Sequence, residues 1–211
     1  TALTDAVLAA ADGADWVVMS GSLPPGMPVS WYGDVVAQLA AHRCRIAVDT
    51  SDAPLAALCE SLDRGAPDLI KPNGQELASV LGLPADSLED AVAQGDPEPV
   101  VAAARQLIDR GVGAVLATLG AAGAVLVDRN GAWLATPPPI TPRSTVGAGD
   151  SSLAGYVRAE VGGAVPPQRL QMAVAYGSAA AALPGTTLPT PAQVDLNAVQ
   201  IAPISPIPAT R

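Results

Sequence analysis

Phenylalanine is absent from this 211-residue chain, and three Trp and three Tyr are its only aromatic residues. A core must therefore be built from Ala, Val and Leu, which implies closely approaching layers rather than a few large anchors. Charge is also scarce, at 15% of residues against ~25% in an average globular chain. What charge there is leans one way: 11 Lys and Arg against 20 Asp and Glu, a formal −9. That balance excludes broad contact with phosphate backbones, so no nucleic-acid partner is expected, and it leaves local anion sites to backbone N–H groups. The 49% hydrophobic share excludes a disordered chain.

Only Cys44 and Cys59 are present, fifteen residues apart and without a C-x-x-C, and His42 is the single histidine. A structural zinc site or a disulfide framework is excluded on those counts. A Ser-His-Asp hydrolase would have to use His42, and no G-x-S-x-G elbow occurs. His42 reads instead as a residue near the end of the helix before a strand at 45–48. Lys71 is the only lysine and Pro72 follows it, so there is no Walker A sequence. The start Thr-Ala-Leu-Thr-Asp lacks the basic residues of a signal peptide. The apolar stretches 111–127 and 170–183 are interrupted or short for a membrane span. A soluble, cytoplasmic protein with no membrane partner is expected. Thr rather than Met at position 1 reads as the start of a piece of something longer.

What is there is an alternation. Short apolar runs at 16–19, 45–48, 68–70 and 114–118 read as strands, and helical patterns at 29–41, 54–61, 73–81 and 100–110 stand between them. Such spacing implies βαβ units and a mainly parallel sheet covered on both faces. Runs at 124–127 and 132–135 flank Asp-Arg-Asn-Gly and read as an antiparallel hairpin. Residues 84–99 read as a surface excursion around a short helical segment, 137–145 as a loop, and the remainder as mostly helix until a Pro-rich tail from Pro203. No repeat or Gly/Ser linker divides the chain. In such a sheet, ligands gather beyond the carboxyl ends of the strands.

The segment Ser144-Thr-Val-Gly-Ala-Gly-Asp150-Ser-Ser stands where a helix begins. Its glycines can aim N–H groups at an anion, aided by the helix dipole, with Asp150 in the first turn beside them. A carboxylate next to an anion hole suits phosphoryl transfer to a hydroxyl. A Gly-rich turn with an acid favouring the helix N-terminus reads the same residues without chemistry. Asn73 and Glu76 have the spacing of a capping box. Thr118 to Gly123 has the composition of a tight strand-to-strand turn. Asp49 or Asp52 could cap the helix after the second strand.

Taken in order, Gly21-Ser-Leu-Pro-Pro-Gly26, Asp49-Thr-Ser51, Lys71-Pro-Asn-Gly-Gln-Glu-Leu77, Thr118-Leu-Gly-Ala-Ala-Gly123 and the Ser144–Ser151 segment resemble the ribokinase-like sugar kinases of the phosphofructokinase-B branch. The resemblance implies a three-layer α/β/α sandwich, with residues 1–211 as the C-terminal part of the kinase domain and its nucleotide-binding half. The family's first strand and lid would be missing, together with several basic groups that hold the substrate phosphate. It implies ATP and Mg²⁺ as cofactors, a small-molecule sugar phosphate as substrate and a homo-oligomer as the assembly. It is nearest to members that convert fructose 1-phosphate to fructose 1,6-bisphosphate. Members acting on tagatose 6-phosphate or fructose 6-phosphate stand behind, and a non-catalytic nucleotide-binding fragment is the reading from another class.

By the same resemblance, Asp150 is the general base and Gly147, Ala148 and Gly149 form the anion hole. Lys71, Thr118, Gly120, Gly123 and Ser178 belong to the nucleotide, with Asn73 and Glu76 organising water-bound Mg²⁺. Gly21, Ser22 and Asp49 stand on the sugar side. Carbonyls near Ser144, Val146, Ala180 and Gly185 match a monovalent cation site, K⁺ in relatives. One departure is Asp52, where relatives commonly carry Gly after D-T-S, and it puts the conformation of that loop in question.

Overall fold

The computed structural model describes residues 2–204. Helix α1 (Ala2–Ala11) leads into strand β1 (Trp16–Ser20), then α2 (Trp31–Leu39), β2 (Arg45–Asp49) and α3 (Asp52–Glu60). Next come β3 (Leu69–Ile70), α4 (Gly74–Val80), α5 (Ser87–Ala93), α6 (Glu98–Asp109) and β4 (Ala114–Thr118). The hairpin β5 (Ala124–Asp128) and β6 (Gly131–Thr136) is followed by α7 (Ala148–Val161), α8 (Pro166–Ala181) and β7 (Gln200–Ile204). The strands form one sheet in sequence order, parallel from β1 to β4 and antiparallel from β4 to β7. Asp-Arg-Asn-Gly turns the hairpin as expected, its Asp128 carboxylate accepting from the Asn130 and Gly131 amides at 2.7 and 3.0 Å.

Alternation along the strands divides the interior in two. Ile46, Val48, Val115, Val125 and Val127 face a core closed by α2 to α6. Their neighbours Ala47, Ala114, Leu116 and Leu126 face a second core with Leu153, Tyr156, Leu170 and Ala173 from α7 and α8. Both faces of the central strands are therefore buried, which is why their sequences run apolar without a polar side. The result is the three-layer α/β/α arrangement. Small residues let α7 and α8 approach closely: a Cβ on Gly155 would stand 2.7 Å from the Met172 carbonyl oxygen. At the far end of α7 the buried Glu160 carboxylate is shared by Arg45 at the start of β2 and Arg169 of α8, the latter at 3.4 Å. Among the described residues no helix is long and apolar enough to cross a membrane.

One expectation is corrected. Pro203 lies inside β7, opposite Trp133, rather than opening a tail. It is tolerated because β7 is the last strand of the sheet, where a missing N–H on the outer side breaks no ladder bond. The remainder of the Pro-rich segment, 205–211, lies outside the described residues.

Candidate active site

The four parallel strands end at one level, and each delivers a polar residue there: Ser20 closes β1, Asp49 closes β2, Lys71 follows β3 and Thr118 closes β4. Backbone bonds hold these ends together. Gly21 N–H donates to Asp49 O at 2.9 Å, Lys71 N–H to Val48 O at 3.2 Å and Thr118 N–H to Pro72 O at 3.0 Å. Asn73 also bridges to Thr118 in parallel register. Beyond the strand ends opens a cavity of about 1130 Å³, walled by the start of α7, the last turns of α8 and the loop at 137–145. Asp49, Lys71, Asn73, Glu76, Thr118 and Gly149 all line it.

Lys71 is buried, and its ammonium pairs with Asp49 Oδ1 at 3.1 Å. The first turn of α7 presses on this pair: a Cβ on Gly149 would come within 3.1 Å of Lys71 Nζ. Burial pushes the Asp49 carboxyl above the usual range; Lys71 pulls it back, and the charge of Asp150 pushes it up further. Asp150 is exposed at the third position of α7 and accepts the Ser20 hydroxyl at 2.7 Å. Gly147 supplies the turn into α7 with φ +79°, a left-handed conformation that favours glycine. Of the candidate anion-hole amides, that of Ala148 donates to Thr145 O at 3.2 Å.

Asn73 and Glu76 do form the capping box: Glu76 N–H donates to Asn73 Oδ1 and Asn73 N–H to Glu76 Oε2, both at 2.8 Å. Burial raises the Glu76 carboxyl, opposed by the Asn73 amide and Lys71, while Asp49 and Asp52 push it up further. Among the described residues no group of three or more His, Cys, Asp or Glu side chains is disposed to hold a metal directly. The 118–123 segment is the tight turn its composition indicates, with a single 3₁₀ turn at Gly120–Ala122. It also forms a wall of the cavity, through Thr118, Gly120 and Gly123. Gly123 has φ +106°, and a Cβ there would lie 2.0 Å from Ala135 O, so only glycine lets the β4–β5 turn sit against β6.

Ser178 lines the cavity from α8. Gly21 and Ser22 are exposed beyond β1 and are not among the lining residues. Gly21 is nonetheless fixed, its carbonyl accepting Thr50 Oγ1 at 3.0 Å and the Tyr32 hydroxyl at 2.7 Å. The loop bearing Ser144 and Val146 is pinned to the end of α8, where Ala181 O accepts the Arg143 and Ser144 amides at 2.8 and 3.3 Å. This brings it beside Ala180, whose carbonyl accepts Leu183 N–H at 3.0 Å, while Gly185 turns the following chain with φ +59°.

Two site residues escaped the sequence reading. Ser20 precedes the Gly21–Gly26 motif, and only its place at a strand end could have marked it. Glu89 of α5 reaches the cavity because α5 packs on α4, with its Cγ 2.5 Å from where a Gly74 Cβ would be. Nothing in the acidic 84–99 excursion signals that reach.

Against this geometry, residues 1–193 match the model of the pfkB family carbohydrate kinases. A 1-phosphofructokinase of Rhodobacter capsulatus is 38% identical over 181 residues, covering 86% of this chain and 53% of that protein. The ATP-dependent 6-phosphofructokinase isozyme 2 of Escherichia coli (strain K12) is 32% identical over 173 residues, 82% of this chain and 52% of that protein. Phosphofructokinase-2 from Escherichia coli, in complex with substrates and products, superposes with a TM-score of 0.78 at 32% identity, over 91% of this chain and 58% of that one. That protein is also known in complex with potassium and as a tetrameric inhibited form. The chain spans about half the length of the curated relatives it matches.

Proposed function

The chain belongs to the pfkB family of carbohydrate kinases, and from that premise we propose that it carries the nucleotide site and the general base of an ATP-dependent kinase converting fructose 1-phosphate to fructose 1,6-bisphosphate. The observation that carries this reading is the approach of Gly149, the residue before Asp150, to the buried Lys71 ammonium at one end of the cavity. The choice of sugar rests on the similarity to a 1-phosphofructokinase. Similarity to a 6-phosphofructokinase supports fructose 6-phosphate as the second reading.

In the proposed reaction Asp150 takes the proton from the acceptor hydroxyl. The start of α7 offers the amides of Gly147 and Gly149, that of Ala148 being given to Thr145 O, and the positive end of its dipole to the transferring phosphoryl group. Charge spread over the equatorial oxygens of a loose transition state is what such a turn and the Lys71 ammonium stabilise. Thr118, Gly120, Gly123 and Ser178 shape the nucleotide wall, and Gly21 and Ser22 face the sugar side.

Asn73 and Glu76 fit a magnesium ion held through water. The cap engages one oxygen of each side chain and leaves further lone-pair sites on both. The carboxylates around Glu76 favour an added positive charge, and magnesium commonly keeps its waters. Magnesium on the nucleotide would supply neutralisation of the phosphate charge. Carbonyls near Ser144, Val146, Ala180 and Gly185 are the proposed potassium ligands, supported by the potassium complex of the Escherichia coli relative. We assign the reaction to the cytoplasm, where ATP and sugar phosphates are held, and to a homo-oligomer, as the tetrameric relative supports.

The test is kcat/KM across fructose 1-phosphate, fructose 6-phosphate and tagatose 6-phosphate, measured by ADP release with the full encoded protein. Fructose 1-phosphate is expected to be preferred; equal or better turnover of either other sugar overturns the substrate assignment. Asp150→Asn in the same assay is expected to lower kcat by about 10²- to 10⁴-fold with little change in nucleotide affinity.

A further inference from the structure

We propose that Asp49 is a positioning residue for Lys71, holding its ammonium against the first turn of α7 at the phosphate end of the cavity, and is not a ligand of the sugar. The inference rests on the reading of that cavity as a nucleotide site. Lys71 is the only lysine of the chain, and its side chain is 7% exposed, so its charge requires a fixed partner. A lysine stem is flexible, and its direction is set by whatever receives the ammonium. That receiver is Asp49 Oδ1 at 3.1 Å, itself only 16% exposed. Asp49 is rigidly placed, since it ends β2 and its own carbonyl takes the Gly21 amide at 2.9 Å.

Other carboxylates compete for the same ammonium. Glu76 feels the charge of Lys71, and Asp150 lies near enough to act on Asp49. A lysine drawn to Asp150 would neutralise the proposed base, and one drawn to Glu76 would leave the start of α7. The Asp49 contact holds the ammonium beside the start of α7, where a Cβ at 149 would crowd it at 3.1 Å. The side chain of Asp49 thus turns across the strand ends toward the cavity, while only its backbone holds the Gly21 loop.

A double-mutant cycle on ATP–magnesium binding tests this, by calorimetry on the 211-residue chain with thermal melts alongside. Asp49→Asn is expected to weaken binding by about fivefold or more, yet by less than about twofold in the Lys71→Met background, because the aspartate acts through the lysine. Additive effects, or no effect of Asp49→Asn alone, overturn the proposal; additivity is what a direct role of Asp49 toward magnesium would give, and no effect is what a role toward the sugar alone would give. Should Asp49→Asn fail to fold with its stranded ammonium, Lys71→Met is compared with Asp49→Asn/Lys71→Met. Equal affinities there support the proposal, and a further fivefold loss overturns it. A parent chain that binds no ATP overturns the nucleotide-site reading and this inference with it, an outcome distinct from binding with additive effects.

Discussion

The hydroxyl of Ser20 donates to the carboxylate of Asp150 at 2.7 Å, joining the end of the first strand to the first turn of a helix 130 residues later. The bond crosses from the end of β1 to the proposed base. It engages Oδ1 of Asp150, so that in the proposed reaction the acceptor hydroxyl would give its proton to Oδ2.

Ser20→Ala removes that orientation without touching the nucleotide wall. A hydrogen bond to a charged group is worth about 1.5–3 kcal/mol, part of which water recovers at this exposed site, so kcat is expected to fall roughly three- to tenfold. The KM for ATP should stay unchanged, and Ser20→Thr should restore most of the loss. Steady-state kinetics of the three proteins checks this; an unchanged kcat in Ser20→Ala removes Ser20 from the site.

Asp52 has φ +54°, the one non-glycine residue with positive φ among those described. The left-handed region is costly for a residue with a Cβ, though less so for Asp than for most. Asp52→Gly is expected to stabilise the fold by about 0.5–1 kcal/mol, a rise of ~1–4 °C in Tm at this size. Asp52→Val should lower Tm instead, since a β-branched residue fits there worst. Thermal melts of both variants decide the point.

Glu76→Gln tests burial against charge. The carboxyl is raised, so the folded state holds its proton more firmly than the unfolded chain. Its stabilising contribution is full below the unfolded value near 4.5 and is lost as pH rises through the folded value. Gln can still accept the Asn73 amide in the cap and does not ionise. The Tm of Glu76→Gln relative to the parent is therefore expected to be more favourable at pH 7.5 than at pH 4, and a constant difference would contradict it. If Glu76 also organises magnesium, the variant needs more of the metal for turnover; an unchanged magnesium dependence leaves it a cap alone.

Gly155→Ala puts a methyl 2.7 Å from a backbone carbonyl of α8 that has no freedom to turn away. Overpacking of this kind costs about 1–3 kcal/mol. Gly177→Ala meets Ala148 O at 3.3 Å, a contact that small shifts relieve. Denaturant midpoints should rank parent, Gly177→Ala and Gly155→Ala in falling order; a Gly155→Ala midpoint equal to the parent's would mean the two helices are free to separate.

Local chemistry in the sequence reached far into this structure. The Asp128 turn, the Asn73–Glu76 cap and the loop entering α7 are each written in a few adjacent residues, and each forms as read. The alternation of helix and strand was enough for the layered α/β arrangement. Strand β7 was illegible because Pro203 argues against a strand unless the strand is known to lie last, which is a fact of tertiary structure. The same holds at the site. Asp49 and Lys71 announce themselves as charged residues after strands, but their pairing depends on β2 and β3 being neighbours in register. Ser20 is an unremarkable serine until α7 is folded over it.

The scarcity of aromatic rings has a spectroscopic consequence. No Trp, Tyr or Phe is among the residues lining the large cavity. Trp31, the first residue of α2, is buried in the core, Trp133 packs beside the α7–α8 core, and Trp16 stands at the opposite end of β1 from the site. Intrinsic tryptophan emission therefore follows the melting of the chain while a ligand enters unseen, so a fluorophore carried by the nucleotide itself gives an independent channel for occupancy in the same cuvette.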